Sequence, residues 1–291
     1  MSRIAYVNGR YVPHRAARVH VEDRGYQFAD GVYEVCAVMG GRILDLEPHL
    51  DRLARSLNEL SIAWPLSRAA LVQVLDEVVR RNRVRNGMVY LQITRGVARR
   101  DHPFPKAAKP ALVITARAGS AAARTAQAEA GVRVVTLPDI RWARRDIKSV
   151  ALLPNVLAKQ TARAAGAFEA WMVDADGFVT EGASTNAWIV DADGNLVTRD
   201  LGHAILAGIT RQVLVALAAE AKLNLVERKF SVAEAKAARE AFLTSTTAFV
   251  APVVQIDDRV IGNGRPGSIA QRLGELYEMH ARRQVTAVTN L

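Results

Sequence analysis

The sequence predicts an α+β protein built from two domains, and three observations carry that expectation. Its 291 residues suffice for one large or two ordinary domains, and an apolar share of 50% beside 23% charged residues fits a packed core. Extended runs and helical repeats are mixed, with strands giving way to helices, as in α+β folds. The stretch 119–128 is small, polar and without clear periodicity, so it reads as a linker between a smaller domain over 1–118 and a larger one over 129–291. This composition excludes collagen, intrinsic disorder and a disulfide scaffold.

In chain order, Ile4 to Val7 followed by Asn8-Gly9 predicts an opening β-hairpin. From Pro48, Leu50, Leu53, Leu57 and Leu60 recur at helical spacing, with His49, Asp51, Arg52 and Arg55 on the polar side. Ser67 caps a second helix carrying Leu71, Val74, Leu75, Val78 and Val79, which Asn86-Gly87 ends. Val89, Leu91 and Ile93 alternate as a strand. The next segment, Asp101 to Pro110, holds three prolines and reads as a projecting loop before the extended Ala111 to Ala116.

The second domain begins with the strand Val132 to Leu137, and a small-residue helix from about Asn155 is terminated by Gly166. Asp174-Ala-Asp-Gly177 and Asp191-Ala-Asp-Gly194 are hairpin turns, because neither supplies the glycine and terminal glutamate of a calcium loop. Thr210 to Lys222 is helical, Ser231-x-x-Glu234 is a capping box, Phe242 to Thr246 is extended and Ser268 to Arg283 is a closing helix.

Thirty-nine basic against 29 acidic residues give a net charge of +10. Seven of the basic residues are lysine, so the excess is arginine, but no basic run is interleaved with aromatics as on nucleic-acid platforms. Met1 to Val12 resembles neither a secretory signal nor a transit peptide, and a cytoplasmic location is expected. No apolar stretch reaches the roughly 18 residues of a spanning helix. The lone Cys36 is expected to be a buried small hydrophobe, and no metal site is expected.

Lys106, Lys109, Lys159, Lys222, Lys229 and Lys236 read as solvated. Lys148 differs, since it follows Ile147 and precedes Val150-Ala-Leu-Leu153. An amine delivered into an apolar interior is suited to Schiff-base chemistry, because desolvation lowers its pKa. Glu181 lies in Thr180-Glu-Gly-Ala-Ser-Thr-Asn186, where a buried carboxylate needs a cationic partner such as a pyridinium. Gly208-Ile-Thr-Arg211 opens a helix whose free N–H groups suit a phosphate, and Thr244-Ser-Thr-Thr247 adds hydroxyls. An amine, a ring-nitrogen counter-ion and a phosphate cradle are what pyridoxal phosphate requires.

Over nearly its whole length the sequence resembles the fold-type IV pyridoxal phosphate enzymes, specifically the D-amino acid aminotransferases. The resemblance rests on Asp23-Arg-Gly-Tyr-Gln-Phe-Ala-Asp-Gly-Val-Tyr-Glu34, His49-Leu-Asp-Arg-Leu53, Thr94-Arg-Gly96 leading to Arg100-Asp-His102, and Asp139-Ile-Arg-Trp142. Asp146-Ile-Lys-Ser149, Thr180-Glu-Gly182 through Asn186, Gly208-Ile-Thr-Arg211 and Thr244-Ser-Thr-Thr247 complete it. It implies a smaller N-terminal α/β sandwich domain and a larger C-terminal domain with a barrel-like sheet flanked by helices, the latter carrying the cofactor lysine.

By the same resemblance, Lys148 is the catalytic residue and holds pyridoxal 5′-phosphate, and Glu181 bonds the pyridine nitrogen. Arg52, Ile209, Thr210 and Thr246 hold the phosphate, while Leu206 packs on the ring. Tyr33, Arg100 and His102 are implied to bind the substrate carboxylate, the last two from a loop crossing a homodimer interface. The register between Arg99 and Arg100 is left open. Asp101 stands between the two binders, and Ala183 and Thr185 vary a run that is often serine-rich in the family.

The implied activity is ping-pong transfer of an amino group from a D-amino acid such as D-alanine to a 2-oxo acid such as 2-oxoglutarate, through a pyridoxamine 5′-phosphate form. The alternatives are an L-branched-chain aminotransferase or an (R)-amine transaminase on the same fold. An alternative of another class is a non-catalytic basic protein that binds nucleic acid. Small-molecule amino and oxo acids are the expected partners, with no nucleic acid or membrane.

Overall fold

The first elements of the chain build an antiparallel sheet with two helices against one face. The structure, a computed structural model, describes residues 3–286. The chain divides into two units; the first comprises the residues up to Ser120, the segment Ile147–Ala151 and the stretch from Gln284. β1 (Ile4–Val7) and β2 (Arg10–Pro13) form the expected hairpin, with φ of +46° at Asn8 and +94° at Gly9, as a tight turn matched to the strand twist requires. There follow α1 (Arg24–Phe28), β3 (Gly31–Met39), β4 (Arg42–Ile43), α2 (Leu46–Glu59), α3 (Arg68–Arg81), β5 (Gly87–Thr94) and β6 (Ala111–Ala118). The sheet order is β2-β1-β6-β5-β3-β4.

Register decides what faces the helices. Val32, Glu34 and Cys36 of β3 pair with Ile93, Leu91 and Val89 of β5, and all six are buried on the core side. Leu50, Leu53 and Leu57 of α2 and Leu71, Leu75, Val78 and Val79 of α3 fill that core, which also takes in Ile147. Cys36 lies within it, and burial pushes its thiol up. Ser67 caps α3 by accepting from the Ala70 amide, as its position predicts. A neighbouring stripe of α2, His49, Arg52 and Ser56, is equally buried although polar. The alternate residues of β3 and β5, Tyr33 with Gln92 and Val35 with Tyr90, occupy the other face and are half-buried.

The second unit comprises Ala121–Asp146 and Leu152–Arg283. Its elements are α4 (Ala121–Ala130), β7 (Val132–Pro138), α5 (Leu153–Ala164), β8 (Glu169–Val173), β9 (Val179–Gly182), β10 (Asn186–Val190), β11 (Leu196–Thr198), α6 (Ile209–Glu220), β12 (Leu225–Glu227), α7 (Val232–Ala237), β13 (Glu240–Ser245), β14 (Phe249–Ile256), β15 (Arg259–Val260) and α8 (Ser268–Thr286). Eight strands run β12-β11-β10-β13-β14-β7-β8-β9, with β15 on β14. β9 returns against β10, so the sheet curls into a half-barrel around Trp171, Ile189, Phe230 and Leu243. The two aspartate-rich turns close on their own amides: Asp174 Oδ1 accepts from Asp176 and Phe178, and Asp191 Oδ1 from Asp193 and Asn195. Ser231 and Glu234 form the reciprocal capping box at the start of α7.

Two boundaries differ from the sequence expectation. Most of the stretch expected as a linker, 119–128, lies in helix α4, because alanine has the highest helix propensity even without an amphipathic pattern, and Gly131 ends the helix at φ +73°. Lys148 groups with the first unit instead of the C-terminal one. Its segment pairs with β3 through the Val32–Ser149 bridge, with Tyr33 N donating to Lys148 O and Val150 N to Gly31 O.

Leu53 is fully enclosed at the centre of the first core. Leu53→Ala is expected to cost about 3 kcal/mol, read as a lower midpoint in urea unfolding; an unchanged midpoint would show that α2 does not depend on that contact.

Candidate active site

Main-chain pairing with the edge of β3 fixes where Lys148 lies. The Lys148 amide also donates to Ser56 Oγ of α2 at 3.3 Å, and its Nζ stands 4.2 Å from the centroid of the Tyr33 ring. The Tyr33 ring lies 5.7 Å from that of Tyr90, whose hydroxyl donates to Gln92 Oε1 at 2.7 Å. Burial and the neighbouring Tyr33 push the Tyr90 phenol up to about 12, so it remains a neutral donor.

Behind this face, the α2 stripe meets Glu34, whose side chain is completely enclosed. Arg52 donates from Nε to Oε1 at 2.8 Å and from Nη2 to Oε2 at 2.7 Å, and His49 Nδ1 lies 2.7 Å from Oε2. Burial alone would raise this carboxyl, but Arg52 and His49 outweigh burial and hold it at about 2. The same burial lowers His49, an effect that Glu34 only partly offsets. Arg52, expected at a phosphate, is thus positioned by a bidentate carboxylate that the sequence reading left without a role.

In the second unit a separate polar network surrounds Glu181. Arg141 Nη1 donates to its Oε1 at 2.5 Å, while Asn186 Nδ2 and the Leu206 amide donate to Oε2 at 3.0 and 3.1 Å. Asp139 holds Arg141 through Nε and Nη2, and Thr180 Oγ1 donates to Asp139 Oδ2. Burial leaves the Glu181 carboxyl above its ordinary value despite Arg141 and the Leu206 amide. The protein therefore supplies one cationic partner for this carboxylate itself, Arg141, where the sequence offers a pyridinium as one that would qualify.

Asn186 extends the network to the start of α6, since its Nδ2 also donates to Leu206 O. A Cβ on Gly208 would come 2.0 Å from Asn186 Oδ1, so the chain makes its approach here only as glycine. Gly208 caps α6 without a side-chain acceptor and no acidic residue occupies the first turn, so Ile209 and Thr210 begin a helix whose positive end suits an anion. Thr210 is buried, Leu206 is half-buried, and Thr246 is half-buried in the turn after β13, against which α6 packs. A small-residue approach, a bare helix start and a buried acid together fit a phosphorylated pyridine ring.

Arg100 and His102 are exposed on the proline-rich loop, both against Phe28 of α1, with the guanidinium 5.1 Å and the imidazole 5.6 Å from its ring. Asp101, exposed between them, accepts from the His102 amide through Oδ1 at 2.8 Å. The structure therefore groups Tyr33, Arg52 and Lys148 in one unit and Glu181, Leu206, Ile209, Thr210 and Thr246 in the other. Lys159, expected to be solvated, keeps 42% of its side chain exposed while its Nζ reaches the buried Glu169 at 3.1 Å. Asp139, Arg141 and Asn186 lie within the motifs quoted above, but the sequence alone assigns them no individual roles. A buried glutamate calls for a cation, but the sequence does not mark which of its 32 arginines supplies it.

Residues 31–256 match the amino-transferase class IV family. The chain is 41% identical over 266 residues to the D-alanine aminotransferase of Bacillus licheniformis, covering 91% of this chain and 93% of that protein. It is 38% identical over 276 residues to the D-alanine aminotransferase of Staphylococcus epidermidis, covering 94% and 96%. Among solved structures, a branched-chain amino acid aminotransferase with pyridoxamine 5′-phosphate superimposes with a TM-score of 0.87 at 27% identity, over 97% of this chain and 95% of that one. The branched-chain aminotransferase of the archaeon Thermoproteus uzoniensis superimposes with a TM-score of 0.83 at 28% identity, over 98% and 95%. The chain belongs to the class IV aminotransferases, the fold-type IV transaminases that depend on pyridoxal phosphate.

Glu34 gives this site a pH signature. A carboxyl held down in the fold stabilises it fully above the unfolded value near 4.5, and the contribution is lost as pH falls toward about 2. Urea unfolding across that window should show stability falling with acid in the native chain. Glu34→Gln should start lower, because Arg52 loses its partner, and should fall less steeply; parallel pH profiles would contradict the pairing.

Proposed function

We propose that this chain transfers the amino group of a D-amino acid such as D-alanine to a 2-oxo acid such as 2-oxoglutarate. The observation that carries this reading is the Lys148 amine standing 4.2 Å from the Tyr33 ring on a segment locked to β3. When bound, pyridoxal phosphate supplies a carbonyl carbon that links to amines and a ring that takes up the electrons left at Cα. Lys148 Nζ would anchor that group and would carry the Cα proton of the substrate. Glu181, backed by Arg141, would hold a proton at the ring nitrogen, and Leu206 would pack on the ring. Arg52, the Ile209 and Thr210 amides and the Thr210 and Thr246 hydroxyls would hold the phosphate.

Tyr33, Arg100 and His102 orient the substrate carboxylate, and so choose which face of Cα meets the lysine. The relatives at 38–41% identity favour the D-amino acid over a branched-chain L-amino acid, whose enzymes resemble this chain at 24–28%. We extend the proposal to a homodimer in the cytoplasm. Val21, Tyr26, Val97 and Phe104 are exposed apolar residues on the segments around the Arg100–His102 loop and support a second copy there. No helix among the described residues is long and apolar enough to cross a membrane.

Visible spectra of the holoenzyme taken before and after D-alanine or L-leucine test the proposal. D-alanine should convert the chromophore and release pyruvate, and Lys148→Ala should reduce turnover at least about a thousandfold. Faster conversion by L-leucine would overturn the D-amino acid assignment.

A further inference from the structure

Arg24 is buried, with 3% of its surface exposed, yet two of its nitrogens serve the exposed proline-rich loop. Its Nη1 donates to Asp101 O at 2.6 Å and its Nη2 to His102 O at 3.1 Å, while Nε donates to Asp30 Oδ2 at 2.8 Å. The guanidinium thus ties the backbone of the loop to the residue just before β3, three positions ahead of Tyr33. Asp30 also receives Arg95 through Nε at 2.7 Å and Nη2 at 3.0 Å. Arg95 in turn donates to Leu60 O and Ser61 O at the end of α2 and lies 3.6 Å from the centroid of the Phe104 ring. Two arginines on one carboxylate therefore fix the loop at 101–102 and again at 104.

Phe28, one turn beyond Arg24 on α1, supplies the second support. Its ring lies 4.8 Å from the Arg24 guanidinium, and Arg100 and His102 rest against it. The loop is thus held through its backbone by Arg24 and through its side chains by Phe28, so the exposed guanidinium and imidazole share one platform.

We propose that Arg24 and Phe28 are positioning residues for recognition of the substrate carboxylate, acting through Arg100 and His102; this rests on the substrate role proposed for that pair. Neither touches substrate. A guanidinium that bonds two successive carbonyls sets the direction of both flanking side chains, and binding then loses less entropy than with a mobile loop.

The test compares the holoenzyme's half-reaction with D-alanine and with ethylamine, which is alanine without its carboxylate, as a ratio of kcat/KM values. Arg100→Ala serves as the reference. Arg24→Met removes the clamp while Asp30 keeps its bidentate Arg95, so the buried acid stays paired. Phe28→Leu, at a half-buried position, removes the platform independently and tests the same claim should Arg24→Met fail to fold.

The expected result is a fall of about tenfold in the D-alanine to ethylamine ratio for each variant, appearing in KM more than in kcat. Arg24→Lys should restore only part of it, because one ammonium cannot span two carbonyls and a carboxylate. A ratio unchanged in Arg24→Met and Phe28→Leu, while Arg100→Ala lowers it, would overturn the positioning role alone. A ratio unchanged in Arg100→Ala as well would overturn the proposed carboxylate recognition, and this inference with it.

Discussion

The placement of one amine depends on main-chain hydrogen bonds between sequence-distant segments. Ile147–Ala151 has too little length to hold a conformation of its own, and it acquires one by pairing with the start of β3. That addition satisfies backbone groups which would otherwise lie unpaired beside the core, buries Ile147, and places the Lys148 side chain against Tyr33. Because side chains alternate along β3, the lysine meets the face carrying Tyr33, while Glu34 turns to the opposite face and requires a countercharge from α2. The chemical arrangement of the first unit follows from this pairing and the two-residue period of the strand.

Four carboxylates are held in the same manner. Glu34 takes Arg52, Asp30 takes Arg24 and Arg95, Glu181 takes Arg141, and Asp174 takes Arg199. Removing one member of such a pair leaves the other desolvated without compensation, so these pairs define geometry more than they add stability. Arginine suits the task because its planar fork bonds a carboxylate in two places and still retains donors for carbonyls or an anion. At Arg24 and Arg95 those further donors go to backbone carbonyls, and they carry the order of the core outward to an exposed loop.

Much of the fold was legible because local signals and tertiary structure agree. The Asn8-Gly9 turn, the leucine repeat of α2, the Ser67 cap and the Ser231–Glu234 capping box each encode their own geometry. The α4 segment carries no hydrophobic stripe to mark it as a helix, and alanine content alone favours the helix that forms. The grouping of Lys148 with the first unit was not legible, since a bridge between residues 32 and 149 leaves no local trace. Nor could 32 arginines be sorted from sequence into solvated and buried ones. Arg141 and Arg24 became visible as partners only when their carboxylates were placed.

The most direct measurement is borohydride reduction of the holoenzyme followed by peptide mapping. A phosphopyridoxyl group on Lys148 and on no other lysine is the expected result. Modification of Lys159 or another lysine in its place, or a reduced holoenzyme with no label on Lys148, would contradict the assignment of the β3-paired amine as the anchoring group.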